Sequence, residues 1–506
     1  MDHLPPLIIN LQRPSAWPHA VDHIQLRETH ISWVLLTGQY AYKIKKPLRF
    51  PFVDYSTLER REAFCHQEVR LNSRLAPGIY LGVVPITGTE SKPEVGGTGP
   101  ILEYAVQMIQ FDEDYLLSRL IASNRLTPDH IDRLAVRVAE IHRQAACAPA
   151  ESAFATPAEV QKEARDNLTV LRQCHESDHQ IAHLSEWTEQ TFLTLQGVFD
   201  GRKREGFVRE CHGDLHLRNV VLLDNSIELF DGIEFNDVFR WIDIQSDAAF
   251  LEMDLADQGR PDLAHRFRNR YLERTGDYPG LAVRRWYLVF RALVRAKVGA
   301  LRIRQEEECG QETKDQQAEL QRYLELATKY SAHRTAMLII TTGVSGSGKT
   351  TGTQSIIERL GAIRVRSDIE RKRLIGIAET AASSLEMHGP VYSSSVSARV
   401  YETLSERCRQ ILEAGYPAIA DATFLRRIDR SRFHELAQEL RVPFVIIPFE
   451  ADMDALRNRI RERRRAGLDA SEATVDVMEA QLRSREPLTP AEREFCRTVE
   501  SFDGQD

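Results

Sequence analysis

The sequence predicts two domains of different fold class: a two-lobed α+β domain followed by a doubly wound, parallel α/β domain. In the first two thirds of the chain, short strand-like segments precede a long, mostly helical region. In the last third, apolar strands alternate with helices, a pattern typical of a parallel sheet covered on both faces. A length of 506 residues also exceeds what one hydrophobic core normally supports.

Shifts in pattern along the chain predict where the domains begin and end. The predicted ranges are 1–330 for the first domain, with a small lobe at about 22–110 and a large lobe at about 111–330, and 336–506 for the second. The highly charged segment 306–335 predicts a helix that connects the two. We see no internal repeat, so the chain is interpreted as a fusion of unrelated domains.

The small lobe is predicted to be a sheet with one helix. Strands are expected in ISWVLLTG and QYAYKIKK, and a helix in STLERREAFCHQEVRLNSRL, with Ser56 as its N-cap. The segment ITGTESKPEVGGTGP, at 86–100, is rich in Gly, Pro and Thr and predicts a loop between two strands.

Composition excludes several classes of protein. A net charge of −8 argues against a general nucleic-acid-binding surface. Seven dispersed cysteines without a CxxC pair indicate reduced thiols and no zinc site. The N-terminus lacks the features of a signal peptide, and no apolar stretch approaches 18 residues. We therefore expect a cytoplasmic protein that does not span a membrane.

The segment HGDLHLRN, at 212–219, matches the protein-kinase pattern H-R-D-L-x-x-x-N except for Gly213 in place of Arg. In that pattern the Asp accepts the proton of an attacking hydroxyl, and the Asn binds magnesium. Twelve residues after Asn219, Asp231 ends the apolar strand IELFD and is followed by Gly, as at the end of a DFG motif. A surface turn and a strand-ending Asp are common separately, but their combination favours a kinase.

With these motifs, residues 22–330 resemble the aminoglycoside phosphotransferase-like branch of the protein-kinase fold, which has HGD in place of HRD. The resemblance implies that Asp214 is the catalytic base and that Asn219 and Asp231 hold magnesium. It also implies that Asp243, in WIDI, is a structural residue that holds the catalytic loop.

A lysine on the third strand of the small lobe should bind the α- and β-phosphates. Lys43 and Lys45 both qualify, since they alternate onto the same face of one strand; we favour Lys43. For its helix partner we favour Glu68 over Glu62. The first hairpin contains no glycine, so the G-x-G-x-x-G lid of protein kinases is absent.

Acidic residues follow Asp231 closely. They could form an acidic cleft for a cationic or polyhydroxyl acceptor or a solvated face, and we assign none of them a role. They are Glu234, Asp237, Glu252, Asp254 and Asp257.

The second domain opens with the P-loop motif GVSGSGKT, at 343–350, between a strand and a helix. Its glycines allow backbone N–H groups to converge on phosphate oxygens, Lys349 would reach the β- and γ-phosphates, and Thr350 would bind magnesium. Asp421, at the end of the apolar strand in YPAIADATF, is the expected Walker B carboxylate. The predicted ATP-binding residues of this motif are Gly343, Ser345, Gly346, Ser347, Gly348, Lys349, Thr350 and Thr351.

Two further features of the second domain resemble the small P-loop kinases, a group that includes gluconate kinase, zeta-toxin-like kinases and polynucleotide kinases. They are a D-x-x-R pair, Asp368 and Arg371, and an arginine run that contains Arg459 and Arg463. The resemblance implies that Asp368 is the base, that Arg371 binds the acceptor, and that Arg459 or Arg463 belongs to a lid over the phosphates. A solvated helix or an RNA contact would also explain the arginine run.

The leading hypothesis is a bifunctional kinase that uses ATP and Mg2+ at both sites to phosphorylate hydroxyl groups of small molecules such as sugars or aminosugars. One alternative is a nucleotide-regulated binding protein with one active kinase domain. Another is a kinase acting on RNA or protein, which the acidic net charge disfavours. Nothing in the sequence determines the acceptors, the oligomeric state or the choice between ATP and GTP.

Overall fold

A computed structural model describes residues 4–50, 52–174, 179–224, 226–332, 336–377, 394–466 and 473–502. The chain divides into two compact units. The first consists of Met1–His130, Glu140–Val160 and Asp200–Asp254, and the second of Ile131–Ala139, Gln161–Phe199 and Leu255–Asp506. All seven cysteines lie in described residues, and none of them forms a disulfide.

The first unit contains a six-stranded antiparallel sheet with the order β1-β2-β3-β8-β6-β7. The strands of this sheet are β1 Gln25–Glu28, β2 Ser32–Leu36, β3 Tyr40–Lys45, β6 Tyr80–Thr89, β7 Lys92–Val95 and β8 Ile101–Ile109. Between β3 and β6 the chain forms a separate small hairpin of β4 Arg49–Phe50 and β5 Val53–Asp54. The prediction of a loop over residues 86–100 is therefore wrong in part. Residues there pair as a β6–β7 hairpin, in which Ile86 faces Val95.

Each face of this sheet is covered by a helix. On one face, Tyr42 and Ile44 pack with Ile8 and Leu11 of the helix Pro6–Leu11. On the other face, the helix Leu58–Leu75 packs Cys65 against Val106. Its N-cap is Thr57, whose hydroxyl accepts the Arg60 N–H, and not Ser56 as predicted. Because side chains alternate along a strand, Lys43 and Lys45 lie on the face covered by this second helix.

The remainder of the first unit carries two short antiparallel pairs. They are β9 Val208–Glu210 with β12 Trp241–Asp243, and β10 Val220–Leu223 with β11 Ser226–Leu229. The predicted catalytic loop joins β9 to β10. The helices in or entering this unit are Leu117–Ala122, Pro128–Gln144, Asp237–Arg240 and Ile244–Asp257.

The second unit begins with long helices. They are Pro157–Cys174, His179–Arg204, Pro261–Thr275, Leu281–Glu308 and Lys314–Ser331. The indole of Trp286 packs against the rings of Phe199 and Phe290. Within the predicted connector, Lys314–Ser331 is helical, and it buries Tyr323 and Leu324. This segment therefore belongs to a packed helical layer.

The second unit also contains a four-stranded parallel sheet with the order β14-β15-β13-β16. The strands are β13 Leu338–Thr342, β14 Ile363–Arg366, β15 Ala418–Asp421 and β16 Phe444–Pro448. The helices around them are Lys349–Gly352, Gln354–Leu360, Ser367–Leu374, Ser394–Glu413, Arg427–Glu439, Met453–Ala466, Val475–Ser484 and Pro490–Arg493. Most residues of β13, β14 and β15 are buried, as expected for strands covered on both faces, and the doubly wound parallel sheet is confirmed.

One core of this parallel sheet includes residues from far upstream. Leu272, Tyr278 and Leu281 are buried with Ile340 and Val365 in a single apolar cluster. The helix Pro261–Thr275 and the turn after it thus cover part of the sheet. Among the residues that the structure describes, no helix is both long and apolar enough to cross a membrane.

Candidate active sites

The HGD loop depends on the glycine that distinguishes it from HRD. Gly213 has φ of 86°, a conformation that L residues rarely adopt. A Cβ at this position would lie 2.6 Å from the carbonyl oxygen of Phe239. Arginine therefore does not fit this loop, and the departure from the protein-kinase pattern has a steric cause.

The side chain that holds the loop is Asp247. Its two carboxylate oxygens accept the backbone N–H groups of His212 and Gly213, each at 3.0 Å. His142 approaches the same carboxylate at 3.1 Å. The prediction that Asp243 holds the catalytic loop is wrong. Its carboxylate instead forms a bidentate ion pair with Arg202, at 2.6 and 2.8 Å.

His212 supports the loop from the inside. Its Nε2 lies 2.8 Å from the carbonyl oxygen of Phe230, at the end of β11. Burial lowers the pKa of His212, although Asp247 opposes the shift. A neutral ring that donates to the carbonyl links the HGD loop to the strand before Asp231.

Asp214 and Asn219 lie together, as the motif predicts. The Asn219 amide donates to the Asp214 carbonyl oxygen at 3.0 Å and lies 3.4 Å from the Asp214 carboxylate. The carboxylate is 40% exposed, and His216 Nε2 approaches it at 3.3 Å. A solvent-accessible carboxylate next to an amide is suited to accept a proton from a bound hydroxyl.

Asp231 is held in an unusual backbone conformation. Its φ is 59°, and its N–H donates to the Tyr80 hydroxyl at 3.0 Å. The next residue, Gly232, donates its N–H to Asn72 Oδ1 at 2.7 Å. Asn72 lies on the helix Leu58–Leu75, so this helix fixes the Asp-Gly turn.

Both candidate lysines bind the same glutamate. Lys43 Nζ lies 2.9 Å from Glu68 Oε1, and Lys45 Nζ lies 2.6 Å from Glu68 Oε2. They differ in their other partner: Lys43 contacts the exposed Asp231 carboxylate at 2.5 Å, whereas Lys45 pairs with the buried Glu234. The Lys45 side chain is only 1% exposed, so Lys43 is the lysine directed towards the candidate site.

The charges of this cluster stabilise one another. Burial disfavours the ionised form of Glu68, but Lys43 and Lys45 lower the pKa of Glu68 to about 2. Burial also opposes the charge on Lys43, but Asp231 and Glu68 raise the pKa of Lys43 above its ordinary value. Glu68 and Lys43 are therefore both ionised at neutral pH. Glu62 is not part of the cluster and interacts with Tyr104.

The acidic residues after Asp231 have mainly structural partners. Glu234 accepts hydrogen bonds from Lys45 and from the Tyr55 hydroxyl. Asp254 accepts the Leu217 N–H at 2.8 Å, and Asp237 pairs with Arg240. Glu234 and Asp254 are buried and therefore fit neither an acidic acceptor cleft nor a solvated face, whereas the Asp237 side chain is 58% exposed.

In the second unit, the P-loop joins β13 to the helix Lys349–Gly352. Gly346 and Gly348 have φ of 84° and 94°, conformations that favour glycine. The Lys349 ammonium donates to the carbonyl oxygens of Gly343 and Val344, each at 2.9 Å, and lies 3.5 Å from Ser347 Oγ. The lysine thus lies along the loop.

Thr350 and Asp421 meet at the carboxyl ends of adjacent strands. The Thr350 hydroxyl donates to Asp421 Oδ2 at 2.7 Å. Asp421 is the last residue of β15, which pairs directly with β13 in the parallel sheet. This places the Walker A hydroxyl and the Walker B carboxylate together, as their motifs predict. Thr351, also predicted to bind ATP, is exposed.

The predicted acceptor-side pair is also formed. Asp368 and Arg371 lie on the helix Ser367–Leu374, which begins directly after β14, and their side chains form an ion pair at 3.0 Å. In the parallel sheet β14 is adjacent to β15, the strand that ends in Asp421. The Asp368 carboxylate is 28% exposed.

One of the two candidate lid arginines contacts the P-loop. Arg459, on the helix Met453–Ala466, donates to the carbonyl oxygen of Gly346 at 3.4 Å. The side chain of Arg463 lies outside the described residues. Sequence reasoning missed Gln481, whose Oε1 accepts the Ser345 N–H at 2.8 Å. No local motif marks this glutamine, because it is 136 residues from its partner.

Oxygen donors that suit magnesium are present at both sites. Mg2+ prefers carboxylate, carbonyl and hydroxyl oxygens. Asp231 and Asn219 supply them in the first unit, and Thr350 and Asp421 supply them in the second. The chemistry of these residues fits the metal that kinase families normally use.

Comparisons with known proteins find a family model, a relative and similar solved structures. A family model described as an AAA domain matches residues 338–488. The uncharacterized protein Rv2004c of Mycobacterium tuberculosis is 30% identical over 456 residues, which cover 88% of each chain. The solved GDP and kanamycin complex of APH(2")-IIia is 15% identical, with a TM-score of 0.38, and covers 64% of this chain and 96% of its own. The solved structure of a gluconokinase from Sinorhizobium meliloti is 19% identical, with a TM-score of 0.23; the match covers 33% of this chain and 83% of the gluconokinase.

In its motifs and site geometry, the chain resembles an aminoglycoside phosphotransferase-like kinase fold joined to a small P-loop kinase domain, as predicted. The chain belongs to the family of Rv2004c of Mycobacterium tuberculosis.

Proposed function

We propose that this protein is a bifunctional kinase that transfers the γ-phosphate of ATP to hydroxyl groups of small molecules at two separate sites. The observation that carries the proposal is that each unit holds its own set of phosphate-binding and proton-accepting groups. The first set is Lys43, Glu68, Asp214, Asn219 and Asp231, and the second is the P-loop with Asp368 and Asp421.

At the first site, Lys43 binds the α- and β-phosphates, and Glu68 holds its ammonium in place. Asn219 and Asp231 would hold magnesium, which would neutralise charge on the phosphates. Asp214 accepts the proton of the acceptor hydroxyl. The hydroxyl oxygen forms a bond to the γ-phosphorus while the bond to the β–γ bridging oxygen breaks, and ADP leaves.

At the second site, the P-loop backbone and Lys349 bind the phosphates of a second ATP. Thr350 and Asp421 would hold magnesium. Asp368 accepts the proton of the acceptor, and Arg371 orients both this carboxylate and the acceptor. Arg459 covers the loop. The same bonds form and break as at the first site.

The acceptors are proposed to be small molecules that carry hydroxyl groups, such as sugars or aminosugars. The Asp214 carboxylate is 40% exposed, so a hydroxyl group of an acceptor can reach it. The product of one site could be the substrate of the other, which would favour fusion of the two domains in one chain.

A regulatory protein with one active kinase domain is the second candidate, and one contact favours it. Lys43 is paired with Asp231 at 2.5 Å, so binding of ATP and magnesium at the first site has to separate these two groups. A site whose main charges neutralise each other could sense nucleotide without transferring phosphate.

Transfer of labelled γ-phosphate from ATP into fractionated metabolites and RNA distinguishes these functions. The intact protein is compared with Asp214→Ala and Lys349→Ala. The bifunctional kinase is supported if each substitution removes a different labelled small molecule. If only Lys349→Ala abolishes labelling, the first site is regulatory, and label in RNA or protein would indicate a macromolecular acceptor.

A further inference from the structure

Arg364 connects the helix after the P-loop to a helix that precedes the P-loop by about seventy residues. Arg364 lies on β14, and the residue is only 5% exposed. One end of its guanidinium donates to the Thr350 carbonyl oxygen at 2.5 Å and to the Thr353 hydroxyl at 3.2 Å. It thus holds the first turn of the helix that supplies the P-loop hydroxyl.

The other side of Arg364 is held by the helix Pro261–Thr275. Glu273 Oε1 lies 3.4 Å from its guanidinium, and Asn269 Oδ1 accepts its backbone N–H at 2.8 Å. The Asn269 amide donates to Glu273 at 3.2 Å, so the two residues act as one unit. Burial disfavours the charge of Glu273, but Arg364 and other arginines lower the pKa of Glu273, which is therefore ionised.

The same helix is fixed to the P-loop domain at further points. Arg266 pairs with Glu358 at 2.7 Å, and Arg268 donates to the Gly361 carbonyl oxygen at 2.6 Å. Gly361 has φ of 64°, and a Cβ there would lie 2.9 Å from both Arg268 and His265. Arg268 and His265 therefore pack closely against Gly361, with no room for a larger residue there. Glu273 lies on this same packed helix and is itself buried.

We propose that Asn269 and Glu273 are positioning residues of the P-loop site and act through Arg364. A buried guanidinium that loses its carboxylate partner is costly to keep in place, so it moves towards other acceptors or solvent. Its contact with the Thr350 carbonyl is then lost. Because the Thr350 side chain is directed at Asp421, this change displaces an oxygen proposed to bind magnesium. The inference rests on the proposed function of the P-loop.

The test is nucleotide binding by full-length protein in a Lys43→Ala background, which silences the first site. A fluorescent ATP analogue is titrated with magnesium and again with EDTA. We expect Glu273→Gln to raise the Kd at least about tenfold with magnesium, the size of effect for a lost charged hydrogen bond. With EDTA the Kd should change little. Loss of folding alone would weaken binding in both conditions.

The matched control is Arg266→Gln, which breaks another ion pair of the same helix with the P-loop domain; Arg266 makes no direct contact with Arg364 and reaches it only through Glu358 and Gln354. It should lower the melting temperature without changing the magnesium dependence. Equal effects of Arg266→Gln and Glu273→Gln, or no effect of Glu273→Gln, would overturn the inference.

A second variant keeps the test decisive if Glu273→Gln does not fold. Arg364→Lys retains a charge for Glu273 but is too short and lacks the fork to reach Thr350. It should show the same selective loss with magnesium, and unchanged binding would reject the proposal. If the parent protein itself shows no binding that Lys349→Ala removes, the proposed function fails instead, so the two failures are distinct.

Discussion

The Thr350 hydroxyl donates a 2.7 Å hydrogen bond to the Asp421 carboxylate. Asp421 is the last residue of β15, and Thr350 lies in the first turn of the helix that follows the neighbouring strand, β13. The contact joins the two residues proposed to hold magnesium at the second site.

Thr350→Val removes the hydroxyl but keeps the shape of the side chain. We expect nucleotide affinity with magnesium to fall roughly tenfold to a hundredfold, since a hydrogen bond to a charged group is worth about 1.5–3 kcal/mol. Thr350→Ser, which retains the hydroxyl, should bind within about threefold of the parent. Titration calorimetry measures both. Normal binding by Thr350→Val would show that this hydroxyl has no role.

We predict that Lys43 is needed for nucleotide binding and Lys45 for the stability of the fold. Lys43→Ala should abolish nucleotide binding at the first site and leave folding largely intact. Lys45→Ala should instead lower the free energy of unfolding by about 3–5 kcal/mol, because it leaves buried carboxylates without their partner. Urea denaturation and nucleotide titration separate the two effects.

Lys46→Ala is the matched control for these lysine variants. Lys46 is the next residue and pairs with the exposed Glu28, so its loss should cost less than about 1 kcal/mol. If Lys45→Ala folds as well as Lys46→Ala but cannot bind nucleotide, the assignment of the two lysines is reversed.

Gly213→Ala tests the steric origin of the HGD loop. Both a positive φ and a Cβ 2.6 Å from the Phe239 carbonyl oppose alanine here. We expect a loss of stability of about 1–3 kcal/mol together with loss of phosphate transfer at the first site. Gly96 has φ of 72° and open space around its Cβ position, so Gly96→Ala shows the cost of φ alone. Equal effects of the two substitutions would contradict a steric clash.

The Glu68 cluster predicts a dependence of stability on pH. The folded pKa of Glu68 is about 2, below its ordinary value of 4.5, so the unfolded chain takes up a proton first as the pH falls. The contribution of Glu68 is therefore complete above pH 4.5 and is lost between pH 4.5 and 2. The total is roughly 3 kcal/mol, at about 1.4 kcal/mol for each pH unit.

Comparison with Glu68→Gln isolates this contribution from other carboxylates. The difference in free energy of unfolding between the parent and the variant should shrink as the pH falls through this window. A difference that stays constant from pH 5 to 2.5 would mean that Glu68 is not held ionised by its lysines.

Local patterns were sufficient to predict the parts of both sites that lie on one strand, one helix or one tight turn. The period of two along β3 correctly placed Lys43 and Lys45 on one face, and both reach Glu68. The P-loop and Asp421 could be paired because parallel strands bring their carboxyl ends to one edge. These predictions needed only the geometry of single elements and of the sheet.

Long-range contacts between side chains and backbone could not be predicted in this way. Asp243 and Asp247 lie four residues apart, and only the folded chain shows that Asp247 receives the loop N–H groups. Gln481 and Glu273 are far in sequence from the loop and the arginine that they contact. Their partners depend on how separate elements pack against each other, and a short sequence motif does not indicate such packing.

The burial of Leu272, Tyr278 and Leu281 with the strands of the parallel sheet limits how this chain can be divided. A fragment that begins at residue 336 would lack these side chains and expose the apolar surface that they cover. The P-loop domain therefore depends on residues upstream of its first strand, and we expect such a fragment to be less stable than the same residues within the full chain.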